Sequence, residues 1–303
     1  MASVSVCIPT FNRKDYLREA LESVQAQTRK VDEILVLDDG STDGTAQMLA
    51  RADYPVRYEW QRNQGDATAR NRLIEMAQGQ YVAFLDSDDL LMPRAIERMM
   101  AAVDREAEDV IVYGSYVSID EEGQPRPARL KRLCSGFITP QLFEEILLQP
   151  SGSLFPKRAL EQAGGFDSSL WVCSDYDMWL RLSLTHRFVA LRAPTCKRRR
   201  HATNLSASST PNRLTELSVL ERFYYEKGGC SVVPAKRAFR RLSQEAYRAA
   251  RCALAERDYE TACCLLSKSM RWHPNGKSLF YAFQARIGRR FNGQEVSAVV
   301  DQE

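Results

Sequence analysis

The sequence predicts an α/β fold with a mostly parallel central sheet, followed by a C-terminal helical extension. Short, continuously apolar segments alternate with amphipathic segments through the first half of the chain, as in βαβ proteins. Acidic and polar residues follow these apolar segments directly, at the sheet edge where ligands bind in such folds. From Leu214 the composition shifts to helix formers. Residues 1–211 are therefore predicted to form the α/β domain and residues 212–303 the helical region.

Each element of the α/β domain is assigned from the spacing of its apolar residues. Continuous apolar runs are typical of strands covered on both faces, and apolar residues three or four apart indicate amphipathic helices. Strands that alternate with helices are expected to be joined by right-handed crossovers, which connect parallel strands, so the sheet is predicted to be mostly parallel. In chain order the predicted elements are strand 4–8, helix 14–27, strand 33–37, a helix through 48 and 49, strand 56–60, helix 67–77, strand 81–85, helix 93–106 and strand 109–113.

The composition is that of a globular protein. Hydrophobic residues make up 44% and charged residues 27% of the 303 residues, which allows a sizeable core. No run approaches the ~20 apolar residues of a membrane span. A first strand beginning at Val4 leaves no room for a signal peptide. Eight cysteines without metal-binding spacing predict reduced thiols in a cytoplasmic protein.

Acidic or polar residues follow three of the predicted strands. They are Pro9 to Asn12 after the first strand, Asp38 and Asp39 after the second, and Asp86 to Asp89 after the strand at 81–85. Carboxylates this close repel one another, and a bound cation relieves the repulsion best. Oxygen ligands of this kind suit Mg²⁺ or Mn²⁺, with a phosphate completing the shell. The alternative is a solvated acidic turn that opens the next helix.

The sequence lacks the glycine-rich phosphate-binding loops of common nucleotide-binding proteins. A metal on Asp88 is therefore expected to hold the phosphates instead. Asp39 can accept a hydrogen bond from the N3–H of a uracil or thymine ring, and Arg70 can pair with the base or with phosphate. A surface salt bridge is the alternative for Arg70.

The predicted α/β domain resembles glycosyltransferase family 2, whose members have the GT-A nucleotide-sugar-binding fold. The order and spacing of seven short motifs carry this resemblance: IPTFNR at 8–13, LDDGSTDGT at 37–45, NQG at 63–65, ARN at 69–71, FLDSDD at 84–89, GGFD at 164–167 and SDYDMWLR at 174–181. The resemblance implies roles for named residues. Those implied at the nucleoside are Pro9, Thr10, Asp39 and Arg70, while Asp86 is implied near the ribose and Asp88 at the metal that bridges the diphosphate.

Residues 174–181 are predicted to begin a helix with Ser174 as N-cap and Asp177 as its capping-box partner. Asp175 then lies in the first turn, where the helix dipole favours its charged form. The resemblance implies that Asp175 is the catalytic base of an inverting transferase, although Ser174 stands where the family usually has Glu. The alternative is an acid that only stabilises the helix dipole.

Four cationic residues, 197–200, are typical of a solvated strand edge and precede His201. In the family, the matching strand is followed by a histidine that can complete the metal shell, which implies this role for His201. Asn204 and Ser206 continue the same pattern. The alternative is a histidine with a structural role only.

The predicted function is transfer of a sugar from a nucleotide-diphosphate donor, most simply a UDP-sugar, to a hydroxyl group of a glycan or lipid-linked acceptor. Such a hexosyltransferase uses Mn²⁺ or Mg²⁺, binds no nucleic acid, and fits the synthesis of cell-surface polysaccharides or glycoconjugates. Two alternatives remain open: a phosphatase of the haloacid-dehalogenase type, and a protein that binds nucleotide sugars without catalysis. The substitution at Ser174 is the one feature that favours the second.

The helical region, residues 212–303, is basic, with 16 Lys and Arg against 10 Asp and Glu. Its last predicted helix, 278–289, places Leu279, Phe280 and Phe283 beside basic residues, a pattern that can lie on an anionic membrane surface. The expected location is thus the cytoplasm, with peripheral contact at the inner face of the membrane as one option. Packing on the α/β domain, or on a second subunit of a homo-oligomer, is the alternative.

Overall fold

The structure is a computed structural model that describes residues 2–51, 54–106, 109–127, 132–201 and 209–286. The chain divides into two compact units, residues 1–204 and residues 205–303. The first unit is an α/β structure and the second is helical within the described residues.

The first unit contains eight strands and seven helices within the described residues. In chain order these are β1 (Val4–Thr10), α1 (Lys14–Gln25), β2 (Glu33–Asp38), α2 (Thr45–Arg51), β3 (Arg57–Trp60), α3 (Asp66–Met76), β4 (Tyr81–Phe84), β5 (Leu90–Leu91), α4 (Ala95–Val103), β6 (Val110–Ile119), α5 (Thr139–Glu144), β7 (Ser153–Pro156), α6 (Lys157–Gln162), α7 (Ser174–Ser183) and β8 (Arg187–Arg199).

The strands form one sheet in the order β3-β2-β1-β4-β7-β6-β8-β5. The pairs β1/β2, β1/β4, β2/β3 and β6/β8 are parallel, whereas β7 runs antiparallel to both of its neighbours and β5 runs antiparallel to β8. The mostly parallel sheet predicted from the sequence is therefore confirmed. Parallel pairing aligns the carboxyl ends of β1, β2 and β4, which is where the acidic segments leave the sheet.

The core explains why these segments form their elements. Every residue of β1 is buried, as expected for a strand covered on both faces. Helix α1 buries Leu17, Ala20, Leu21 and Val24, which recur at helical spacing on the face that packs on the sheet. The predicted amphipathic pattern of α1 is thus confirmed.

The second unit is built from α8 (Thr210–Tyr225), α9 (Ala235–Ala255) and α10 (Tyr259–Trp272), with residues 276–286 forming a further helical segment. Ser209 caps α8 and Asp258 caps α10. A buried ion cluster joins α8 to α9, where Arg241 contacts both Glu216 and Glu245 at 2.6 Å. None of the described helices combines the length and the apolar character needed to cross a bilayer.

Candidate functional site

The segments that follow β1, β2 and β4 begin at one edge of the sheet. The Asp39 N–H donates to the Thr10 C=O at 2.8 Å, which joins the ends of β2 and β1. On the other side of β1, the Leu85 N–H donates to the Cys7 C=O at 3.0 Å. The chain therefore enters the acidic segment 86–89 beside the other two ends.

Asp39 is buried and surrounded by hydrogen-bond donors. Its Oδ1 accepts from Gln61 Nε2 at 2.7 Å and from the Gln64 N–H at 2.9 Å, and its Oδ2 accepts from the Gly65 N–H at 2.8 Å. A carboxylate accepts about four hydrogen bonds, so about one position is left for a donor on a ligand. Gly65 has a φ of 90°, a conformation that favours glycine.

Thr10 lies next to Asp39 and has a buried hydroxyl group. The residue is 3% exposed, and its Oγ1 has no hydrogen-bond partner among the residues that the structure describes. An unpaired buried hydroxyl costs free energy, and a bound polar ligand would remove that cost. Pro9, the preceding residue of β1, is buried as well.

Arg70 is held on α3 between two carboxylates. Its Nη1 bonds Asp66, its Nη2 bonds Asp86 Oδ1 at 2.6 Å, and its guanidinium lies 5.7 Å from the centre of the Phe166 ring. Arg70 is only 5% exposed, so the alternative of a surface salt bridge is wrong. The geometry makes Arg70 a buried cation that fixes Asp86 at the edge of the sheet.

Asp66 was not singled out in the sequence, although its position four residues before Arg70 is a recognisable helical ion-pair spacing. Burial raises its pKa to about 6; the charges of Asp86 and Asp175 also raise it, while Arg70 opposes the change. Asp175 thus lies close enough for its charge to raise the pKa of both Asp66 and Arg70.

Three carboxylates converge after β4. One oxygen from each of Asp86, Asp88 and Asp89 lies within 4.8 Å of the others. Burial raises the pKa of Asp89 to about 8, and the charges of Asp88 and Asp86 add to the rise. The structure therefore gathers negative charge where a cation would reduce the repulsion, and an all-oxygen set fits Mg²⁺ or Mn²⁺.

His201 meets Asp88 at this cluster. The Nε2 of His201 lies 2.8 Å from Asp88 Oδ2, and Arg13 Nη1 lies 2.9 Å from the same oxygen. The His201 ring stacks on Tyr16 with 5.5 Å between ring centres, which fixes its orientation. An imidazole beside carboxylates is a donor set that Mn²⁺ accepts.

The short strand β5 brings these groups together. It pairs with β8 in the register Leu90 with Lys197 and Leu91 with Cys196, so the acidic segment runs beside the chain that leads to His201. This two-residue strand was not predicted from the sequence, because so short an apolar pair carries no periodicity.

Arg199 overturns the prediction of a solvated strand edge at 197–200. It is 1% exposed, and its backbone N–H donates to Asp89 Oδ1 at 2.9 Å while its Nε donates to the Asp88 C=O at 3.0 Å. Its guanidinium lies 4.6 Å from the centre of the Tyr16 ring and bonds Glu19 at 2.6 Å. The sequence carried no signal that separated Arg199 from its exposed cationic neighbour.

Asp175 lies half-buried in the first turn of α7, and its Oδ1 accepts from the N–H of the next residue at 2.8 Å. The predicted capping box does not form. Cys173 is the N-cap, with a φ of 62°, and its side chain makes no capping hydrogen bond within the described residues. Ser174 is the first helical residue, and Asp177 instead bonds Arg181 at 2.8 Å in the interior. The structural role predicted for Asp177 is confirmed, but through a different partner.

One turn holds α3 and α7 to each other. Asn71, on α3, donates to the Phe166 C=O at 2.8 Å and accepts from the Phe166 N–H at 2.7 Å. Arg181, on α7, donates to the Gly165 C=O at 2.8 Å. The helix that carries Arg70 and the helix that carries Asp175 are therefore fixed by the same short segment. This segment is the GGFD motif at 164–167, one of the seven motifs that carry the family resemblance.

The structure thus brings most of the predicted site residues to one edge of the sheet. Thr10 and Asp39 form one end, the group of Asp86 and Asp88 with His201 forms the other, and Arg70 bonds Asp86 between them. Asn204 and Ser206 lie outside the described residues.

Comparison with known families gives one match over half of the chain. Residues 5–163 match the model of the family described as "Glycosyl transferase family 2". An uncharacterized glycosyltransferase of Rickettsia felis is 40% identical over 146 residues, which cover 48% of this chain and 23% of that protein. Another from Rickettsia prowazekii is 31% identical over 225 residues, which cover 72% of this chain and 69% of that protein.

A chondroitin synthase of Escherichia coli is 32% identical over 210 residues, which cover 67% of this chain and 30% of the synthase. Several of these relatives are much longer than the matched region, and the chain spans 23%, 29%, 58% and 26% of four uncharacterized rickettsial glycosyltransferases.

Solved structures show the same fold. A crystal structure of S. aureus TarS residues 1–349 with UDP-GlcNAc superposes with a TM-score of 0.69 at 15% identity, covering 96% of this chain and 92% of that one. A mannosyltransferase from Pyrobaculum calidifontis with GDP-Man and Mn²⁺ superposes with a TM-score of 0.56 at 18% identity, covering 97% of this chain and 84% of that one. These likenesses confirm the GT-A fold predicted from the sequence.

Proposed function

Because the chain belongs to glycosyltransferase family 2, we propose that it transfers a sugar from a nucleotide-diphosphate donor to a hydroxyl group of an acceptor. The observation that carries the proposal is the convergence of Asp86, Asp88 and Asp89 at the edge of the sheet, with oxygens within 4.8 Å of one another. Family and fold both favour a transferase over the phosphatase alternative.

The nucleoside of the donor is proposed to lie over Pro9, Thr10 and Asp39, with Arg70 at its side. Asp39 retains about one acceptor position, which suits the N3–H of uracil. The unpaired hydroxyl of Thr10 adds a buried polar group beside it. These two features support a UDP-sugar donor, and Asp86 is proposed near the ribose.

A divalent cation, Mn²⁺ or Mg²⁺, would supply positive charge that offsets the charge of the leaving diphosphate. Asp88 and His201 are proposed as its ligands, and the oxygens of Asp86 and Asp89 lie close to that of Asp88. Arg199 donates from its Nε to the Asp88 C=O and from its backbone N–H to Asp89 Oδ1, which keeps both residues in place.

Asp175 is proposed as the general base. Its carboxylate stands in the first turn of α7, and a carboxylate can accept the proton of an acceptor hydroxyl. The oxygen of that hydroxyl then attacks the anomeric carbon as the bond to the diphosphate breaks, in one displacement that inverts the configuration. The charge of Asp175 acts on the nearby Asp66 and Arg70.

The acceptor is proposed to be a glycan or a lipid-linked sugar, in keeping with relatives named chondroitin synthase and hyaluronan synthase. Synthesis of a cell-surface polysaccharide in the cytoplasm is the setting that fits such an acceptor.

The variant Asp175→Asn tests the chemistry directly. Since a positioned base contributes at least about 100-fold, we expect UDP release from a panel of UDP-sugars with Mn²⁺ to fall by that factor or more. Affinity for UDP, measured by calorimetry, is expected to stay unchanged.

Asp15→Asn is the matched control, because Asp15 is a well-exposed carboxylate on α1, and it is expected to behave as wild type. Near-normal turnover by Asp175→Asn would remove Asp175 from the mechanism. Wild-type protein that binds UDP-sugars but releases no UDP under any condition would instead favour the non-catalytic alternative that Ser174 raises.

A further inference from the structure

The helical segment 276–286 carries apolar side chains on two opposite faces. On one face Ser278 and Ala285 are fully buried, and the Tyr281 ring packs against the Tyr247 ring of α9 with 5.6 Å between their centres. Arg251 of α9 lies 5.5 Å from the same Tyr281 ring. This face fixes the segment to the rest of the helical unit.

The other face is exposed. Leu279, Phe280 and Phe283 are 60%, 57% and 66% exposed. At about 100° of rotation per residue, these three side chains form one strip opposite the buried face. Large apolar residues that are scattered singly on a surface need no explanation, but a contiguous strip marks a contact surface.

The charge around the strip identifies the kind of surface that it contacts. The helical segment 276–286 contains no Asp or Glu, and its two cationic residues are Lys277 and Arg286. Lys277 and Arg286 are exposed, and the same helical rotation places one on each side of the apolar strip. An apolar strip flanked by cations matches a surface that has an apolar interior and an anionic boundary.

We propose that the strip of Leu279, Phe280 and Phe283 inserts into the surface of an anionic phospholipid membrane. Apolar side chains enter the boundary between headgroups and acyl chains, and flanking Lys and Arg bind anionic headgroups. A protein partner fits less well, because a stable protein interface takes about 20–30 residues a side and this strip offers three. This contact would hold the catalytic chain where lipid-linked or membrane-bound acceptors lie, but it does not depend on the proposed transfer.

The test uses the full chain and two kinds of vesicle. We expect sedimentation with vesicles of phosphatidylcholine mixed with phosphatidylglycerol, little with phosphatidylcholine alone, and release by high salt. The double variant F280S/F283S is expected to bind anionic vesicles about 100-fold more weakly, because each of the two phenyl rings buried in the boundary contributes about tenfold.

Phe137→Ser is the matched control, since Phe137 is 63% exposed on the α/β unit, and its vesicle binding is expected to equal that of wild type. Circular dichroism and UDP affinity of all variants should match wild type, which separates loss of lipid binding from loss of fold or site.

Two outcomes overturn the proposal. The first is equal binding of wild type and F280S/F283S to anionic vesicles. The second is a wild-type dimer in light scattering that becomes a monomer in F280S/F283S, with no lipid binding by either, because the strip would then be an interface between copies of this chain.

Discussion

At the residue scale, Thr10 has a buried hydroxyl that is unpaired within the described structure. If that hydroxyl bonds the nucleotide, Thr10→Val removes one hydrogen bond from the complex and none from the free protein. We therefore expect affinity for UDP to fall up to about tenfold, with folding stability unchanged or slightly raised. Calorimetric titration with UDP, together with thermal unfolding, measures both quantities.

Thr210→Val provides the control for this substitution. Thr210 also carries a buried hydroxyl without a partner in the described residues, but it lies in the helical unit. Its substitution should leave UDP affinity unchanged. Equal effects of the two substitutions on UDP binding would count against a nucleotide contact at Thr10.

Asp66 makes folding stability depend on pH. Its pKa is raised from an ordinary 3.8 to about 6, so the folded protein keeps a proton that the unfolded chain has already released. This contribution to stability is therefore complete below about pH 3.8 and is lost as the pH rises to about 6.

The variant Asp66→Asn lacks this titration. The free energy of unfolding of wild type relative to the variant should fall with rising pH over that range, by at most about 1.4 kcal/mol per pH unit because one carboxyl group binds one proton. Urea titrations at several pH values measure the difference. A difference that stays constant, or that rises with pH, would rule out the raised pKa.

Single residues differ in how far the sequence predicts them. The acidic residues after β2 and β4 were predictable because a strand pattern fixes where each segment leaves the sheet. Arg199 was not, because its burial depends on the pairing of β8 with β5 and on the ring of Tyr16, which lies far from it in sequence. The four-residue spacing between Asp66 and Arg70 could be seen in the sequence. It did not indicate a site residue, because the burial of Arg70 is known only from the structure.

At the element scale, the turn that holds α3 to α7 contains two glycines that differ in one respect. Both have positive φ, 79° at Gly164 and 73° at Gly165, but a Cβ at Gly165 would lie 2.6 Å from Asn71 Oδ1 whereas a Cβ at Gly164 would meet nothing within 4 Å. Gly165→Ala should therefore displace Asn71 and shift α3 relative to α7. We expect the kcat of sugar transfer to fall about tenfold or more, because small misplacement of catalytic groups is costly.

Gly164→Ala adds the same backbone strain, about 1–2 kcal/mol, without the clash. It should reduce stability but leave kcat close to wild type. Steady-state kinetics and thermal unfolding of both variants separate the two effects. Equal loss of kcat in the two variants would mean that strain in the turn, rather than the position of Asn71, sets the rate.

The helices predicted at 14–27 and 67–77 were placed to within a few residues, as α1 and α3 show. The start of α7 was not, because the sequence favours Ser174 as a side-chain cap whereas the chain enters the helix through a left-handed Cys173. Backbone geometry of this kind depends on the packing of the preceding turn and leaves no trace in local composition.

At the scale of the whole molecule, the parallel sheet is what turns separated sequence motifs into one site. β1, β2 and β4 are adjacent and parallel, so the segments after them must meet at one edge. The sequence predicted this convergence, because it follows from strand order and handedness alone. The contribution of β8, which brings His201 to Asp88, depended on the family resemblance and not on periodicity.

The central claim is that the carboxylates at this edge bind a divalent cation together with the diphosphate. Calorimetric titration of Mn²⁺ into the protein with UDP present tests it most directly, on wild type, Asp88→Asn and the surface control Asp15→Asn. We predict one Mn²⁺ site in wild type and in Asp15→Asn, and affinity at least about 100-fold weaker in Asp88→Asn, since even residues that only orient metal ligands contribute up to that factor. Unchanged Mn²⁺ affinity in Asp88→Asn, with the fold intact by circular dichroism, would contradict the claim.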